Sequence, residues 1–298
     1  MVAAIQCEGD DRFRLARCAG CGVYTLVPMP TPGQLSRYYA EEYYGATRRK
    51  FVGPLADLVE WFQQGRARMV SARLAPDARV LDVGCGNGGF LLGMKARGFR
   101  AEGTEWTPES ARRIPAEAGI PVHVGDLLEI DLAEGSFDAI TLWHVFEHLA
   151  QPAETLEKIH RLLKPGGVLF LSMPNHESWQ AERHGRHWFH LDPPRHLHGF
   201  GVRSLEGLLS SREFSVLHRH TWSLEQNPYG WLQSFLNASG FPRDRAYAAL
   251  KGTAHNSGTR LLDLALVFLL AGPSVVLSVI ESLAGRGGTM TFVARRRG

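Results

Sequence analysis

Two stretches of this 298-residue chain carry side chains that could do chemistry. The first is a glycine run. Gly84, Gly86 and Gly89 lie in Val-Leu-Asp-Val-Gly-Cys-Gly-Asn-Gly-Gly, residues 80–89, with Cys85 between the first two. Glycine lets the backbone turn sharply and lets a ligand come close. The spacing alone serves dinucleotides as well as other cofactors. The nearby acids discriminate. Asp82 stands two residues before the first glycine, where a carboxylate would repel a pyrophosphate and attract an ammonium group. Glu105, followed by Trp106, is placed for a pair of ribose hydroxyls. Asp126, followed by Leu127, suits an adenine amino group. A ligand with adenosine, an ammonium group and no phosphate satisfies all three, which describes S-adenosylmethionine.

The second stretch is rich in histidine. Residues 184–200 contain His184, His187, His190, His196 and His198, with Pro193-Pro194 forbidding helix and predicting an extended loop. A hydroxyl acceptor needs a base, and histidine often serves. His190, Arg195 and His196 are the candidates for acceptor contact, with His190 or His196 as base; the alternative is that they brace the loop. His144, in Trp143-His144-Val145-Phe146-Glu147-His148, can face the same pocket, whereas Glu147 and His148 read as structural hydrogen-bonding residues. The histidine spacing is no recognisable metal-ligand signature, so no metal is assigned.

These groups need a frame. Apolar runs at Arg79–Val83, Phe99–Thr104, Val122–Val124, Phe137–Trp143 and Val168–Met173 read as strands. Helical patterns at Gly89–Arg97, after Thr107-Pro108-Glu109 and at Ala153–Leu163 alternate with them, the last closed by Lys164-Pro165-Gly166-Gly167. Such alternation predicts a parallel sheet with helices on both faces, and the acids then line the carboxyl edge. Phe214–Arg219 and Thr289–Ala294 read as two further strands. Between them lies an apolar run at 261–280, broken by Asp263 and by Gly272-Pro273, which predicts a helical hairpin rather than a membrane crossing. Residues 1–30 read as a small separate cysteine-containing unit. Residues 31–75 read as a helical lid or linker with Tyr38, Tyr39, Tyr43 and Tyr44. Residues 76–298 form the main domain, with an apolar insertion at about 225–285.

The motifs VLDVGCGNGGFL, GTEW, GDLLE, FDAITLWHVFEHL and LLKPGGVLFLSMPN, in that order, resemble those of class I S-adenosylmethionine-dependent methyltransferases. The branch with ubiquinone-biosynthesis O-methyltransferases is the most similar. The resemblance implies an α/β, Rossmann-like, doubly wound seven-stranded sheet of order 3-2-1-4-5-7-6, with its last strand antiparallel. It implies that Asp82, Gly84 and Gly86 hold the methionine end, Glu105 the ribose and Asp126 the adenine edge, with Trp143 and His144 on the methionine side. It also implies that Phe-His-Leu-Asp-Pro-Pro-Arg-His-Leu, residues 189–197, caps a small-molecule acceptor. Relatives often begin with two zinc-knuckle halves. Here Cys18 and Cys21 form one, Cys7 is the only third sulfur nearby, and Ala4 stands where its partner would fall.

Composition narrows the setting. The chain is 44% hydrophobic and 21% charged, with net charge +3, part of it in Arg295-Arg296-Arg297. That slight excess does not call for nucleic acid. Glu8, Asp10 and Asp11 interrupt any signal-peptide core, and four cysteines suit a reducing cytoplasm. The run at 261–280 suggests peripheral membrane contact and a lipid-like acceptor, a sugar-derived one being the alternative, or else a homodimer or domain interface. Two other functions share the glycine loop: an NAD(P)-dependent oxidoreductase, and a non-catalytic cofactor-binding module.

Overall fold

A computed structural model describes residues 3–6, 12–38, 54–114, 118–241, 250 and 257–298. Cys7, Tyr39, Tyr43 and Tyr44 lie outside them. The strands are β1 (Ala3–Gln6), β2 (Arg12–Arg17), β3 (Tyr24–Val27), β4 (Arg79–Val83), β5 (Arg100–Glu105), β6 (Val122–Val124), β7 (Phe137–Trp143), β8 (Leu163–Pro174), β9 (His198–Gly199), β10 (Phe214–His220) and β11 (Thr289–Arg296). Seven of them form the main sheet, in the order β10-β11-β8-β7-β4-β5-β6, and β11 runs antiparallel to both neighbours. This is the doubly wound, Rossmann-like order the motifs imply.

Strand alternation divides the core into two layers. On one face Val80, Ala139, Phe170 and Val293 meet Ala67 and Val70 of helix Pro54–Ser71 and Leu91 and Met94 of helix Gly89–Lys95. On the other, Leu81, Ile140, Leu171 and Phe292 meet Leu156 and Ile159 of helix Pro152–Leu162 and Leu205 and Leu209 of helix Val202–Ser211. Adjacent residues in each strand serve opposite faces, as the pleat requires. Sheets covered on both sides read as continuous apolar runs, which is why the strands were legible. Truncating one of these buried leucines to alanine costs about 2–5 kcal/mol.

Three expectations need correction. Lys164-Pro165-Gly166-Gly167 does not close the preceding helix from a loop; it belongs to β8, which starts at Leu163. Leu163 pairs with Phe137, and Lys164 Nζ reaches both Asp138 oxygens at 2.7 and 2.8 Å, so the ladder claims the segment. Next, the N-terminal strands are not a separate unit. They form a sheet of order β1-β2-β3-β9, completed by the histidine segment. Thr25 pairs with His198, and Phe13, Leu26 and Leu197 share one small core.

The apolar run, finally, is not a hairpin. Ser257–Leu283 is one helix with Pro273 inside it. Proline deletes one backbone bond, to the carbonyl of Leu269. That residue is 70% exposed, so no buried neighbour forces a break there. Ser274, Ser278 and Glu281 fall on one buried line at helical spacing, which only an unbroken helix provides. The chain still leaves and returns on one side of the sheet. The outgoing arm is helix Asn227–Ala238, packed antiparallel: Leu232 and Leu236 meet Leu266, Val267 and Leu270, while Asn227 Nδ2 donates to Ser282 Oγ at 3.2 Å.

Candidate active site

The ends of β4, β5, β6 and β7 stand side by side, and the glycine loop leaves β4 there. Gly84, Gly86 and Gly88 all have positive φ, at 67°, 59° and 72°. Their reasons differ. A Cβ on Gly84 would lie 2.7 Å from Val145, and one on Gly88 2.5 Å from Ile114, so packing demands both glycines. A Cβ on Gly86 would meet nothing within 4 Å. Gly86 is therefore bare toward open space, as a ligand cradle should be. The Cys85 thiol turns into the core against Leu91 and Gly103, so only its main chain borders the cradle.

The acids flank this cradle. Glu105 is buried; its Oε1 accepts from Gly86 N at 2.6 Å and its Oε2 from Trp106 N at 3.1 Å. Burial raises its pKa. A carboxylate oxygen has more than one acceptor position, so ribose hydroxyls can still be received. Asp82 is also buried, and its Oδ1 accepts from Thr141 Oγ1 at 2.5 Å. Burial pushes its pKa up to about 7, against the Thr141 bond and the charge of Arg66. Asp126 Oδ1 receives Leu128 N at 2.9 Å, which fixes the turn after β6, with Leu127 buried beneath. Trp106 is 69% exposed at the rim.

Sequence reasoning missed Arg66. It sits on helix Pro54–Ser71, which lies over the glycine loop through Gln63 Nε2 donating to Asn87 Oδ1 at 2.8 Å. The Arg66 guanidinium stands 5.5 Å from the Trp143 ring, pairs with Glu225, and bears electrostatically on both Asp82 and His144. Nothing in the local helical pattern marks it; only the fold brings it to the cradle.

Beyond Trp143 the chemistry changes. His144 ends β7 in a left-handed conformation, φ 55°, and its Nδ1 lies 3.6 Å from Glu147 Oε1. Burial, helped by Arg66, lowers its pKa to about 4. Glu147 is buried without a hydrogen-bond partner on either oxygen, and burial pushes its pKa up to about 7. His196 Nε2 lies 3.9 Å from Glu147 Oε1. His196 Nδ1 donates to His190 O at 2.9 Å, and His148 Nδ1 to Arg195 O at 2.9 Å. Both rings are thus pinned by one nitrogen, and that bond sets which nitrogen carries the proton. Glu147, His148 and His196 offer ligand atoms within 4.8 Å of one another and could hold a metal ion, with those carbonyls as the outer partners. The spacing in sequence hid this group, because His196 arrives from a distant loop.

The other histidine-segment candidates are placed differently. Arg195 is engaged by Asp192, with its Nε 2.9 Å from Oδ2, and reaches the carbonyl of Tyr38 at 3.5 Å. Burial alone would raise the Asp192 pKa, but the Arg195 bonds and the His196 and Arg195 charges hold it down to about 2. The Arg195 guanidinium therefore braces the loop, and the expected extended segment holds a 3₁₀ turn at Phe189–Leu191. His190 is buried in that turn, and its Nε2, which has no hydrogen-bond partner, faces Gly230. Burial, with the His144 charge, lowers its pKa to about 3. The structure gathers His144 and His196 around Glu147, with the His190 ring near enough to feel His144 but turned toward Gly230.

Comparison with known proteins agrees with this geometry. A family model described as a methyltransferase domain matches residues 57–219, and the chain belongs to that family. The ubiquinone biosynthesis O-methyltransferase of Xanthomonas axonopodis pv. citri (strain 306) is 42% identical over 117 residues, 37% of this chain and 49% of that protein. The chain therefore spans about half the length of the curated relatives it matches. Among solved structures, a protein described as a sarcosine dimethylglycine methyltransferase from Galdieria sulphuraria aligns with TM-score 0.56 at 16% identity, covering 88% of this chain and 97% of that one. A SAM-dependent methyltransferase from Archaeoglobus fulgidus aligns with TM-score 0.53 at 17% identity, covering 87% and 99%. At such identities the structures attest the fold alone.

Proposed function

We propose that this chain transfers a methyl group from S-adenosylmethionine to a hydroxyl of an apolar small molecule. The observation that carries the reading is Gly86, bare toward open space between two buried acids. Glu105 would receive the ribose, Asp126 the adenine edge, Asp82 the ammonium group and Arg66 the carboxylate. When bound, the cofactor supplies an electrophilic methyl group. The chain's own task is to align the acceptor, exclude water and take its proton. His144 suits the last step: it adjoins Trp143, its ring is the more open of the two facing Glu147, and it is neutral at pH 7. Glu147 steadies the imidazolium that forms, and His196 holds Glu147. The oxidoreductase reading loses ground to the family match and to Asp82. Calorimetry separates it: tight NADH binding without S-adenosylhomocysteine binding would refute our reading. Labelled methyl transfer into a cell extract would reveal the acceptor, and its absence would leave the non-catalytic module.

The relatives' printed name supports oxygen as the attacked atom, and the long helix supports a membrane-delivered acceptor. Leu264–Leu283 is long and apolar enough to cross a membrane by length and composition. Its polarity is inverted. Ser274, Ser278 and Glu281 face the protein, while Phe268, Leu269 and Leu283 are 80%, 70% and 85% exposed. The outer strip is about 30 Å long and about 10 Å wide, roughly 300 Å² per copy, against the roughly 800 Å² per partner of a stable dimer. We place it in the headgroup region of a bilayer, on a cytoplasmic protein. Wild-type protein should co-sediment with phosphatidylethanolamine–phosphatidylglycerol vesicles, and Phe268→Asp with Val276→Asp should not. Equal sedimentation of both would refute the placement.

A further inference from the structure

Gln180 is fully buried on helix Trp179–His184, and both ends of its amide are engaged. Nε2 donates to Glu281 Oε1 at 2.8 Å, and Oε1 accepts from Trp188 Nε1 at 3.1 Å. Its two ends lie close against glycines: a Cβ on Gly230 would lie 2.2 Å from its Oε1, and a Cβ on Gly288 would lie 2.2 Å from its Nε2. A side chain at either position would collide with the amide. Glu281 fixes which way the amide faces, because its Oε1 also accepts from Gly288 N at 3.1 Å.

The amide connects to the acceptor side. Trp188 opens the turn that carries His190, and Leu191 N donates back to Trp188 O at 3.2 Å. The His190 ring packs edge-on to Trp188 at 5.7 Å and against the same Gly230 face as the Gln180 amide. The carbonyl of His190 then receives His196 Nδ1, and His196 Nε2 faces Glu147, which faces His144. We propose that Gln180, oriented by Glu281, is a positioning residue that sets the ring of His196 and through it the Glu147–His144 pair. This rests on the reading of that pair as the acceptor-side base. It also gives the inner face of the long apolar helix a direct line to the base, since Glu281 belongs to that helix.

The test needs no acceptor. The full chain labelled with ¹⁵N-histidine reports the tautomer of His196, which the bond to His190 O holds as Nδ1–H. Gln180→Met keeps length and burial but removes both hydrogen bonds. The ratio of Nδ1–H to Nε2–H in His196 should drop roughly fivefold, a coupling typical of one hydrogen-bond network. Trp188→Phe, which removes the indole donor along with part of the buried ring, should shift it in the same direction and covers the case of a poorly folding Gln180→Met. The exchange Gln180→Glu with Glu281→Gln restores an acceptor for Trp188 and a donor between the two side chains, and should return the ratio to the wild-type value. An unchanged His196 spectrum in both Gln180→Met and Trp188→Phe would overturn the proposal. So would failure of the exchange to restore the ratio while S-adenosylhomocysteine affinity stays intact. Loss of S-adenosylhomocysteine binding by the wild type would strike the methyl-transfer reading instead, and leave the His196 measurement standing.

Discussion

The two sides of the crevice are built by different means. On the cofactor side, two of the three acids are held by main chain, Glu105 by the N–H groups of Gly86 and Trp106 and Asp126 by that of Leu128, and Asp82 by the Thr141 hydroxyl of the adjacent strand. The groups come in sequence order from successive strand ends. On the acceptor side the partners are remote. His148 donates to the carbonyl of Arg195, and Leu197 N donates to the carbonyl of Glu147 at 2.9 Å. The first side is a repeated local solution to making a sheet edge polar. The second is a set of ionisable groups assembled in a buried place, whose protonation depends on everything packed around them.

That contrast can be tested from its strongest point downward. Asp82→Ala should reduce S-adenosylhomocysteine affinity at least ~100-fold by calorimetry, about 2.7 kcal/mol, with the fold retained by circular dichroism. His144→Gln and Glu147→Gln should each leave that affinity within about threefold while lowering methyl transfer by roughly 10²–10⁴, the usual worth of a positioned base. Affinity lost equally in all three would dissolve the division between the two sides.

Next, the glycines should separate packing from binding. Gly84→Ala adds a clash with Val145 to the positive-φ cost of about 1–3 kcal/mol that Gly86→Ala also bears, so thermal unfolding should show the larger loss. Gly86→Ala carries only the φ strain and should chiefly weaken cofactor binding. Equal stability losses would mean that Gly86 is not a cradle.

The smallest effect concerns pH. His176, just after β8 with its ring against Tyr24 and Trp188, and His190 both have pKa values lowered by burial to about 3, below the unfolded value. The unfolded chain then binds more protons, so this stability is full above about pH 6.5 and is lost as pH falls toward the folded values. Glu281, raised to about 7 by burial, acts in the opposite sense: its contribution is full below about pH 4 and is lost as pH rises through 7. Asp82 and Glu147, also raised to about 7, act with it, but His144 and His196 join His176 and His190, so the lowered histidines outnumber the raised carboxylates. Denaturation midpoints should fall between pH 6.5 and 4.5, and His176→Gln should flatten that fall by ~1–2 kcal/mol. An unchanged slope would show that His176 is not buried neutral.

The order of the seven strands followed from the resemblance to the methyltransferase motifs. The strands, the glycine loop and the acids beside it were legible because each depends on local pattern: apolar runs between layers, glycines where φ is positive, polar residues where strands end. Thr107 was readable as a cap for the same reason, and its Oγ1 does accept from Ser110 N at 3.2 Å. The long helix misled because proline is judged by its local cost, whereas an exposed carbonyl and a buried line of Ser274, Ser278 and Glu281 decide the outcome. Arg66 was invisible, since a guanidinium on one helix gains meaning only when that helix lies over the loop. Glu147 likewise looked structural until His144 and His196 were seen around it. Sequence by itself determined the sheet and the cofactor edge, where each contact lies within a few residues or a strand pair. Only the tertiary structure decided the acceptor side, because burial, and hence the protonation of Glu147 and its histidines, is a property of the packed whole.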